Sequence, residues 1–418
     1  MHKPLWPMVV LLPSFLNAND HDSRQSLFNM PLDQLLNLKV AVASRGESRF
    51  LNESPVPIEV ISQSQLISSG QAYLADALLR ASSSFHYLHF SLRDGSDHSL
   101  PFSLRGFNPN QTLVMINGKR LHHGAILHTS NALGRGGTSI DLNQIPLSAV
   151  KQVEILKDSA SAQYGSDAIA GIINIQLVDV QNNQIAIAQG QTSQGDGNQT
   201  HFTAQLGAEY FSEGFPDTNL IANIEYHDNQ GTNRAGPDSR QQYFANDPRN
   251  DLPENQNLIN SKDGDPASEQ WQLNTRATFD LSLSRQLYVW FNGRQQNSRS
   301  ELFFRRPLDD NNVRAIHPDG FLPQLAPEIW DTSVTVGLNH KHHWDISYIR
   351  GRSSFTYILN NSVNASFGEQ SPTSFNSGRL GFSHHLLSGD WVKYLEDIQI
   401  ATGAEFRSET FEIKSGNP

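Results

Sequence analysis

The sequence predicts a small α+β domain over about residues 31–178, followed by antiparallel strands of a transmembrane β-barrel. Short apolar segments with the spacing of helices and strands fill the first part. After residue 180, segments of about ten residues alternate apolar and polar side chains, which is the length and period of a membrane-spanning strand. Short polar links between these segments alternate with long ones, as the turns and outer loops of such barrels do.

The composition excludes several classes of protein. The 418 residues include 31 Lys and Arg, 42 Asp and Glu and no cysteine, for a net charge of −11. No apolar run reaches the roughly 18 residues of a membrane helix. An acidic chain lacks the basic clusters of a nucleic-acid binder, and without cysteine it has no disulfide, thiolate nucleophile or cysteine-ligated metal. Phosphate-loop, dinucleotide, serine-hydrolase and zinc-protease motifs are missing, so we expect neither an enzyme nor a cofactor.

The first 18 residues have the outline of an export signal. His2 and Lys3 precede a mostly apolar run from Leu5 to Leu16, and Ala18 offers a small residue for cleavage. Prolines interrupt the run, and a buried N-terminal strand or helix is the alternative. If residues 1–18 are a signal peptide, residues 19–45 form an N-terminal extension.

Residues 31–178 contain alternating signals for short helices and short strands. The clearest is Asn117-Gly118 after the apolar run Leu113–Ile116, because both turn residues tolerate positive φ and favour a hairpin. Short strands beside short helices give an α+β unit. We predict helices at Pro31–Leu38 and Tyr73–Leu78, strands at Pro57–Ile61, Val150–Leu156 and Ile169–Leu177, and a turn at Asp158–Tyr164.

The later segments alternate strictly in polarity. A soluble β-sandwich also alternates, and this alternative stays open on periodicity alone. Charged residues on the polar face, such as Arg276 and Glu405, favour a wet lumen instead. The predicted strands are Thr200–Tyr210, Leu220–His227, Trp271–Leu281, Leu287–Phe291, Trp330–His340, Trp344–Leu359, Leu380–Leu386 and Ile398–Arg407.

Five motifs of the first domain occur in an order that resembles a known family. They are Arg105–Phe107, Leu113–Arg120, Val153–Asp158, Ala162–Gly165 and Asp167–Ile175. Together they are similar to the plug domain of TonB-dependent outer-membrane receptors. The resemblance implies a plug domain over residues 46–180 and a partial transmembrane barrel over residues 181–418.

The resemblance also implies a function in the cell outer membrane. Such a receptor binds a scarce solute outside, for example a siderophore–iron complex or cobalamin, and imports it with proton-motive force relayed by TonB and the ExbB/ExbD complex. The alternative is a plug-bearing outer-membrane binding or signalling protein without transport. The 234 residues after residue 184 suit about nine or ten strands, whereas plugged transporters have 22, so we expect the N-terminal part of a longer receptor.

The resemblance assigns candidate roles to particular residues. A segment that pairs with TonB by strand addition, the TonB box, is predicted at Leu38, Lys39, Val40, Ala41, Val42 and Ala43. Its alternative is simply the first plug strand. Predicted plug–barrel contacts are Arg105, Lys119, Arg120 and Asp158, and predicted turn glycines are Gly106, Gly118, Gly165 and Gly171. Solute-binding candidates are His86, His89, Arg93, His122, His123 and Arg135.

The 16 histidines raise the question of a metal site. Clusters such as His122/His123 and His384/His385 lack accompanying carboxylates at ligand spacing, so we expect no protein-bound metal.

Overall fold

A computed structural model describes residues 39–42, 49–51, 54, 56–88, 95–129, 133–179, 183–211, 216–340, 343–395 and 398–417. The predicted signal peptide and the predicted helix Pro31–Leu38 lie outside these residues, as do Leu38, Ala43, His89 and Arg93. None of the described helices is long and apolar enough to cross a membrane.

The first domain, which we call the plug, consists of short elements up to residue 177. Among the described residues its α-helices are α1 (Gln63–Ser68), α2 (Leu74–Ala81) and α3 (Ser161–Tyr164), with 3-10 helices at Pro109–Gln111, Leu142–Gln144 and Leu147–Ala149. Its strands are β1 (Lys39–Val40), β2 (Arg49–Phe50), β3 (Ile58–Ser62), β4 (Phe85–Tyr87), β5 (Phe102–Leu104), β6 (Thr112–Ile116), β7 (Lys119–Arg120), β8 (Val150–Leu156) and β9 (Gly171–Leu177). The predicted turn at Asp158–Tyr164 is thus a turn followed by one helical turn.

A five-stranded sheet in the order β3-β8-β9-β6-β7 organises the plug. Strands β6 and β9 are parallel, and the other neighbours are antiparallel. Leu113 and Met115 of β6 pack into one apolar cluster, whereas Val114 and Ile116 pack into the other. A sheet covered on both faces needs a continuous apolar strand, which explains the uninterrupted run in β6.

The predicted hairpin after β6 is confirmed. Met115 pairs with Arg120 and Ile116 with Lys119, which leaves only Asn117 and Gly118 in the loop. Their φ angles are +47° and +77°, as a two-residue hairpin turn with the twist of its strands requires. The turn places Lys119 and Arg120 side by side at the edge of the plug sheet.

The second part of the chain forms one ten-stranded sheet among the described residues, which we call the wall. Its strands are β10 (Gln184–Gly190), β11 (Gln199–Tyr210), β12 (Asp217–Asn229), β13 (Ala267–Asp280), β14 (Arg285–Glu301), β15 (Gln324–Leu325), β16 (Glu328–His340), β17 (Trp344–Asn360), β18 (Phe375–Leu395) and β19 (Ile398–Asn417). All neighbouring strands are antiparallel. The predicted strands all occur, but β10 and β15 were not predicted and several strands are longer than expected.

The polarity of the wall is the reverse of that of a soluble sheet. On β16, Asp331 and Thr335 are 1% and 7% exposed, whereas their direct neighbours Trp330 and Val336 are 49% and 39% exposed. Polar side chains therefore face the plug and apolar ones face outward. This arrangement is that of a lipid-facing barrel wall and argues against the β-sandwich.

The links between wall strands fall into two classes. Four pairs of consecutive strands are separated by only two to six residues, and their facing ends, Tyr210/Asp217, Asp280/Arg285, His340/Trp344 and Leu395/Ile398, mark one end of the wall, which we call the turn end. The other end, which we call the loop end, carries the long links, including residues 230–266 and 361–374. Long loops face outward in outer-membrane barrels, so the loop end is the outer end.

Candidate functional site

The surface between plug and wall carries a network of buried polar side chains. Its centre is Arg294 of β14, which donates hydrogen bonds to Asp141 of the plug at 2.7 Å and to Asp331 of β16 at 2.6 Å and 2.9 Å. The three side chains are at most 4% exposed. Asp141 also caps the 3-10 helix Leu142–Gln144 by accepting from Asn143 N at 2.9 Å. Arg294 therefore links strands β14 and β16 of the wall to the 3-10 helix Leu142–Gln144 of the plug.

Amide side chains of the wall meet the end of that 3-10 helix. Gln270 and Gln272 of β13 donate to the Asn143 carbonyl at 3.0 Å and 2.7 Å, and Asn292 of β14 donates to the Gln144 carbonyl at 3.1 Å. Carbonyls at a helix end have no partner within the helix, so they need one from outside. The wall supplies these donors, and the helix is thereby held in one position in the lumen.

Lys119 and Arg120, the two cations placed by the hairpin, reach different strands of the wall. Lys119 Nζ lies 2.6 Å from Asp345 Oδ1 of β17 and 3.9 Å from Asp390 of β18. Arg120 pairs with Asp167 of the plug at 2.6 Å and lies 3.3 Å from Glu405 of β19. The structure thus places both predicted residues against the wall.

A wall arginine completes the Arg120 pair. Arg407 of β19 donates to Asp167 Oδ2 at 2.7 Å, so the carboxylate accepts from one arginine of the plug and one of the wall. Burial alone would raise the pKa of Asp167, but the hydrogen bond from Arg407 and the charges of both arginines lower it. The carboxylate stays ionised at neutral pH and holds the two cations together.

The other two predicted contacts lie elsewhere in the described structure. Arg105 has φ of +55° and turns back into the plug, where it donates to the Ala170 carbonyl at 2.9 Å. Asp158 is exposed and accepts from Ser159 N in the turn before α3. The four predicted glycines, Gly106, Gly118, Gly165 and Gly171, all have positive φ.

The solute-binding candidates that the structure describes do not form one group. His86 and Arg135 are exposed, whereas His122 is buried and packs on the bare backbone of β17 at Gly351, where a Cβ atom would lie 2.6 Å from the histidine. Burial lowers the pKa of His122 and of His123, so both rings are neutral at pH 7. These two residues pack against the wall rather than line an outer surface.

His98, at the loop end of the interface, was not singled out for a role of its own. Its two ring nitrogens lie 2.8 Å and 2.9 Å from Ser298 Oγ and Ser300 Oγ of β14. The sequence does show that Ser298 and Ser300 lie on one face of a strand, because they are two residues apart. It does not show that a histidine of the plug lies opposite them, since that depends on the tertiary fold.

The described part of the TonB-box candidate is built into the plug. Strand β1 pairs with β2, and Val40 and Val42 are each 1% exposed. The buried carboxylate of Glu154 on β8 accepts from Ala41 N at 3.1 Å and Val42 N at 2.9 Å, and Asn174 donates to it at 3.0 Å. In this state, access to the segment requires breaking these charge-assisted bonds.

A second polar group lies on the wall beneath the plug. His201 of β11 is in register with His227 of β12, and Glu225 lies two residues before His227 on the same face. Ligand atoms of the three side chains lie within 4.8 Å of one another. Sequence reasoning missed this group because its members are separated by up to 26 positions and meet only through strand register.

A plug seated against a polar-lined, lipid-facing wall defines a class, the TonB-dependent outer-membrane receptors. Residues 51–172 match the family model described as TonB-dependent Receptor Plug Domain. Residues 51–172 thus carry the plug domain of these receptors, and the wall that follows is of their outer-membrane barrel type.

Particular relatives agree with this class. The chain is 30% identical over 184 residues to the vitamin B12 transporter BtuB of Vibrio vulnificus (strain CMCP6), an alignment that covers 43% of the chain and 28% of the transporter. It is 30% identical over 137 residues to the iron-regulated outer membrane virulence protein of Vibrio cholerae, covering 32% of the chain and 19% of that protein. The chain therefore matches less than a third of either relative's length.

Solved structures confirm the fold. The unliganded ferric citrate transporter FecA superposes with a TM-score of 0.52 at 11% identity, covering 88% of this chain and 60% of FecA. A ferric enterobactin receptor PfeA mutant from Pseudomonas aeruginosa gives a TM-score of 0.54 at 12% identity, with 86% and 50% coverage. At this identity the likeness concerns the fold alone.

Proposed function

We propose that this chain supplies the plug and part of the wall of a receptor that imports a scarce solute by a TonB-dependent step. The observation that carries the proposal is the chemistry of the interface, where ion pairs and amide hydrogen bonds hold the plug beside a small apolar cluster of Ala125 and Ile126 with wall residues. Even a buried ion pair adds little net stability, because the desolvation of its charges offsets most of their attraction, so these contacts can be exchanged for water at modest net cost. A plug held in this way can stay closed at rest and still move under an external force.

Siderophore–iron complexes and cobalamin are the solute classes that we propose. Support comes from relatives named as a vitamin B12 transporter and an iron-regulated outer membrane protein. The long links at the loop end are the proposed outer recognition surface. They carry exposed aromatic side chains such as Phe244 and Phe367, which are 58% and 47% exposed.

The proposed partner is TonB, with ExbB and ExbD supplying the force. The TonB box is proposed at Leu38–Ala43, where strand addition would compete with the β1–β2 pairing. Release of Ala41 and Val42 from Glu154 would be the first step, because these are the charge-assisted contacts that fix the segment to the plug sheet.

Uptake by cells that express the protein in place of their own receptors tests this function. Radiolabelled cobalamin and a panel of ferric siderophores would be offered to hosts with and without TonB. We expect uptake of one of these solutes, lost in the host without TonB. Solute binding with equal uptake in both hosts would instead support a binding or signalling protein without transport.

A pair of variants at one position tests the TonB box. Val40→Pro removes a backbone N–H and blocks strand addition, whereas Val40→Ala keeps it and loses only side-chain volume. We expect the proline variant to bind solute but not import it, and the alanine variant to import. Uptake by the proline variant would place the box elsewhere.

A further inference from the structure

We propose that His201, Glu225 and His227 form a binding site for a divalent transition metal ion at the plug–wall interface. The three side chains project from neighbouring strands near the loop end of the wall; His227 lies two residues before the end of β12. Glu225 Oε2 lies 3.1 Å from His227 Nε2 and 3.6 Å from His201 Nε2. The proposal concerns the wall of the protein and does not depend on which solute it binds.

The donor distances suit a tetrahedral ion. Bonds of 2.0–2.2 Å to nitrogen and oxygen place neighbouring ligand atoms of a tetrahedral site about 3.3 Å apart. The observed separations of 3.1 Å and 3.6 Å bracket this value. The fourth position has a candidate in Gln272 Oε1 of β13, which lies 3.0 Å from His227 Nε2.

Hydrogen bonding within the group leaves a surplus of acceptors. His227 Nε2 faces both Glu225 Oε2 and Gln272 Oε1 at about hydrogen-bond distance, yet a neutral ring nitrogen carries at most one proton. Gln272 presents its oxygen because its own nitrogen donates to the Asn143 carbonyl at 2.7 Å. A cation bound by these atoms would take up the lone pairs that the single proton leaves without a donor.

Charge gives a second argument. The Glu225 side chain is 1% exposed, and in the described structure its ion pairs are with the two histidines alone. A buried carboxylate without a permanent cation nearby is costly, because burial removes its hydration. A bound divalent ion would compensate that charge directly.

The plug closes the site from the luminal side. Glu225 Oε1, the oxygen that faces away from the histidines, accepts from Ser148 N of the plug at 2.7 Å. The ring of Tyr73 stacks on His227 at 4.5 Å. Groups that orient metal ligands in this way raise affinity, and here they belong to the plug. A metal ion bound to the wall would therefore stabilise the seated plug.

Ligand chemistry selects the kind of ion. Two imidazoles and one carboxylate suit Zn²⁺, Co²⁺, Ni²⁺ or Cu²⁺, whereas Ca²⁺ and Mg²⁺ prefer all-oxygen sites with more ligands. We therefore expect millimolar Mg²⁺ or Ca²⁺ to leave Zn²⁺ binding unchanged.

Metal titration of the detergent-purified, chelator-treated protein tests the site. We expect one equivalent of Zn²⁺ to bind, and one equivalent of Co²⁺ to give the intense visible absorption of a four-coordinate ion. His227→Gln and Glu225→Gln should each weaken Zn²⁺ binding by about 100-fold or more, beyond the 10–100-fold typical of outer-shell changes. Gln272→Ala should weaken it by about 10-fold or more.

His385→Gln is the matched control, because His385 is an exposed histidine of β18 whose Nδ1 lies 2.6 Å from Tyr348 Oη. This variant should bind Zn²⁺ as the parent protein does. Zn²⁺ should also raise the melting temperature of the parent protein and of the control, but not that of His227→Gln. Such a rise shows that the ion binds the folded state.

Two results would overturn the proposal. One is the lack of stoichiometric Zn²⁺ and Co²⁺ binding by the parent protein, which would leave the group as a hydrogen-bonded network only. The other is binding that His201→Gln and His227→Gln do not weaken, which would place the ion elsewhere.

Discussion

Removing the buried cation Arg294 should loosen the plug. Arg294→Met leaves Asp141 and Asp331 facing each other in a site where both are at most 4% exposed. Breaking a buried ion pair by removing one partner costs about 3–5 kcal/mol. The cost applies only while the plug is seated, because an open lumen hydrates both carboxylates. The equilibrium for plug release should therefore shift by about 140- to 3,700-fold.

The protein has no cysteine, which allows this release to be measured through a single engineered thiol. Ala125→Cys introduces one at a plug position that is 2% exposed and lies against β17, since Ala125 N donates to Ser353 Oγ at 2.9 Å. Its rate of maleimide labelling reports the population of the open state when opening and closing are fast. We expect Arg294→Met to raise that rate by the same factor as the equilibrium.

A neutral triple variant separates the charge effect from a general loss of structure. Arg294→Met combined with Asp141→Asn and Asp331→Asn removes all three charges, and it should recover most of the lost protection because no unpaired charge stays buried. Labelling of Arg294→Met within threefold of the parent rate would refute the reasoning. Labelling of the triple variant as fast as the single one would refute it too.

Three further predictions concern the plug alone. Burial lowers the pKa of His128 to about 4, so as the pH falls the unfolded state takes up a proton before the folded state does. Urea denaturation should therefore show the free energy of unfolding decreasing by up to about 3 kcal/mol between about pH 6.5 and pH 4. The His128→Gln variant should give a flatter pH profile. Gly171→Ala should destabilise the plug by more than about 2 kcal/mol in the same assay, since φ is +144° and the new Cβ would lie 2.2 Å from the Leu156 carbonyl oxygen. Glu154→Gln should speed amide hydrogen exchange at residues 39–42, because Ala41 N and Val42 N lose a charged acceptor. Glu59→Gln is the control. Exchange that is the same in both variants would mean that Glu154 does not hold the segment.

Local sequence signals were sufficient to predict the structure where it depends on a short turn motif or on the two-residue alternation of a strand. Asn117-Gly118 defined a hairpin because positive φ at two consecutive positions suits few other residues. Alternation defined the wall strands, and charges on the polar face indicated which face is wet. Strand β10 escaped because its seven residues are shorter than the expected membrane strand, and β14 proved longer than predicted because its polar half, up to Glu301, carries no apolar alternation.

The interface could be predicted only in part, for a physical reason. Lys119 and Arg120 form the short strand directly after a hairpin turn whose geometry is local, so their place at the edge of the plug sheet follows from the sequence. Arg294 and Asp331 lie on strands separated by long links, and their meeting with Asp141 depends on how the plug sits in the lumen. A polar residue on an inward face could be recognised from alternation, but its partner could not.

The positions of these contacts indicate the order in which they would break if the plug were pulled out of the wall. Near the loop end the wall holds it through the closely packed groups around Glu225 and His98, and in the middle through Arg294. Glu154 fixes the described part of the proposed TonB-binding segment within the plug itself, not to the wall. A pull on that segment would first break contacts inside the plug and only later those with the wall. Force would therefore unfold the β1 region of the plug before it moves the 3-10 helices, and the loop-end contacts would be among the last to open.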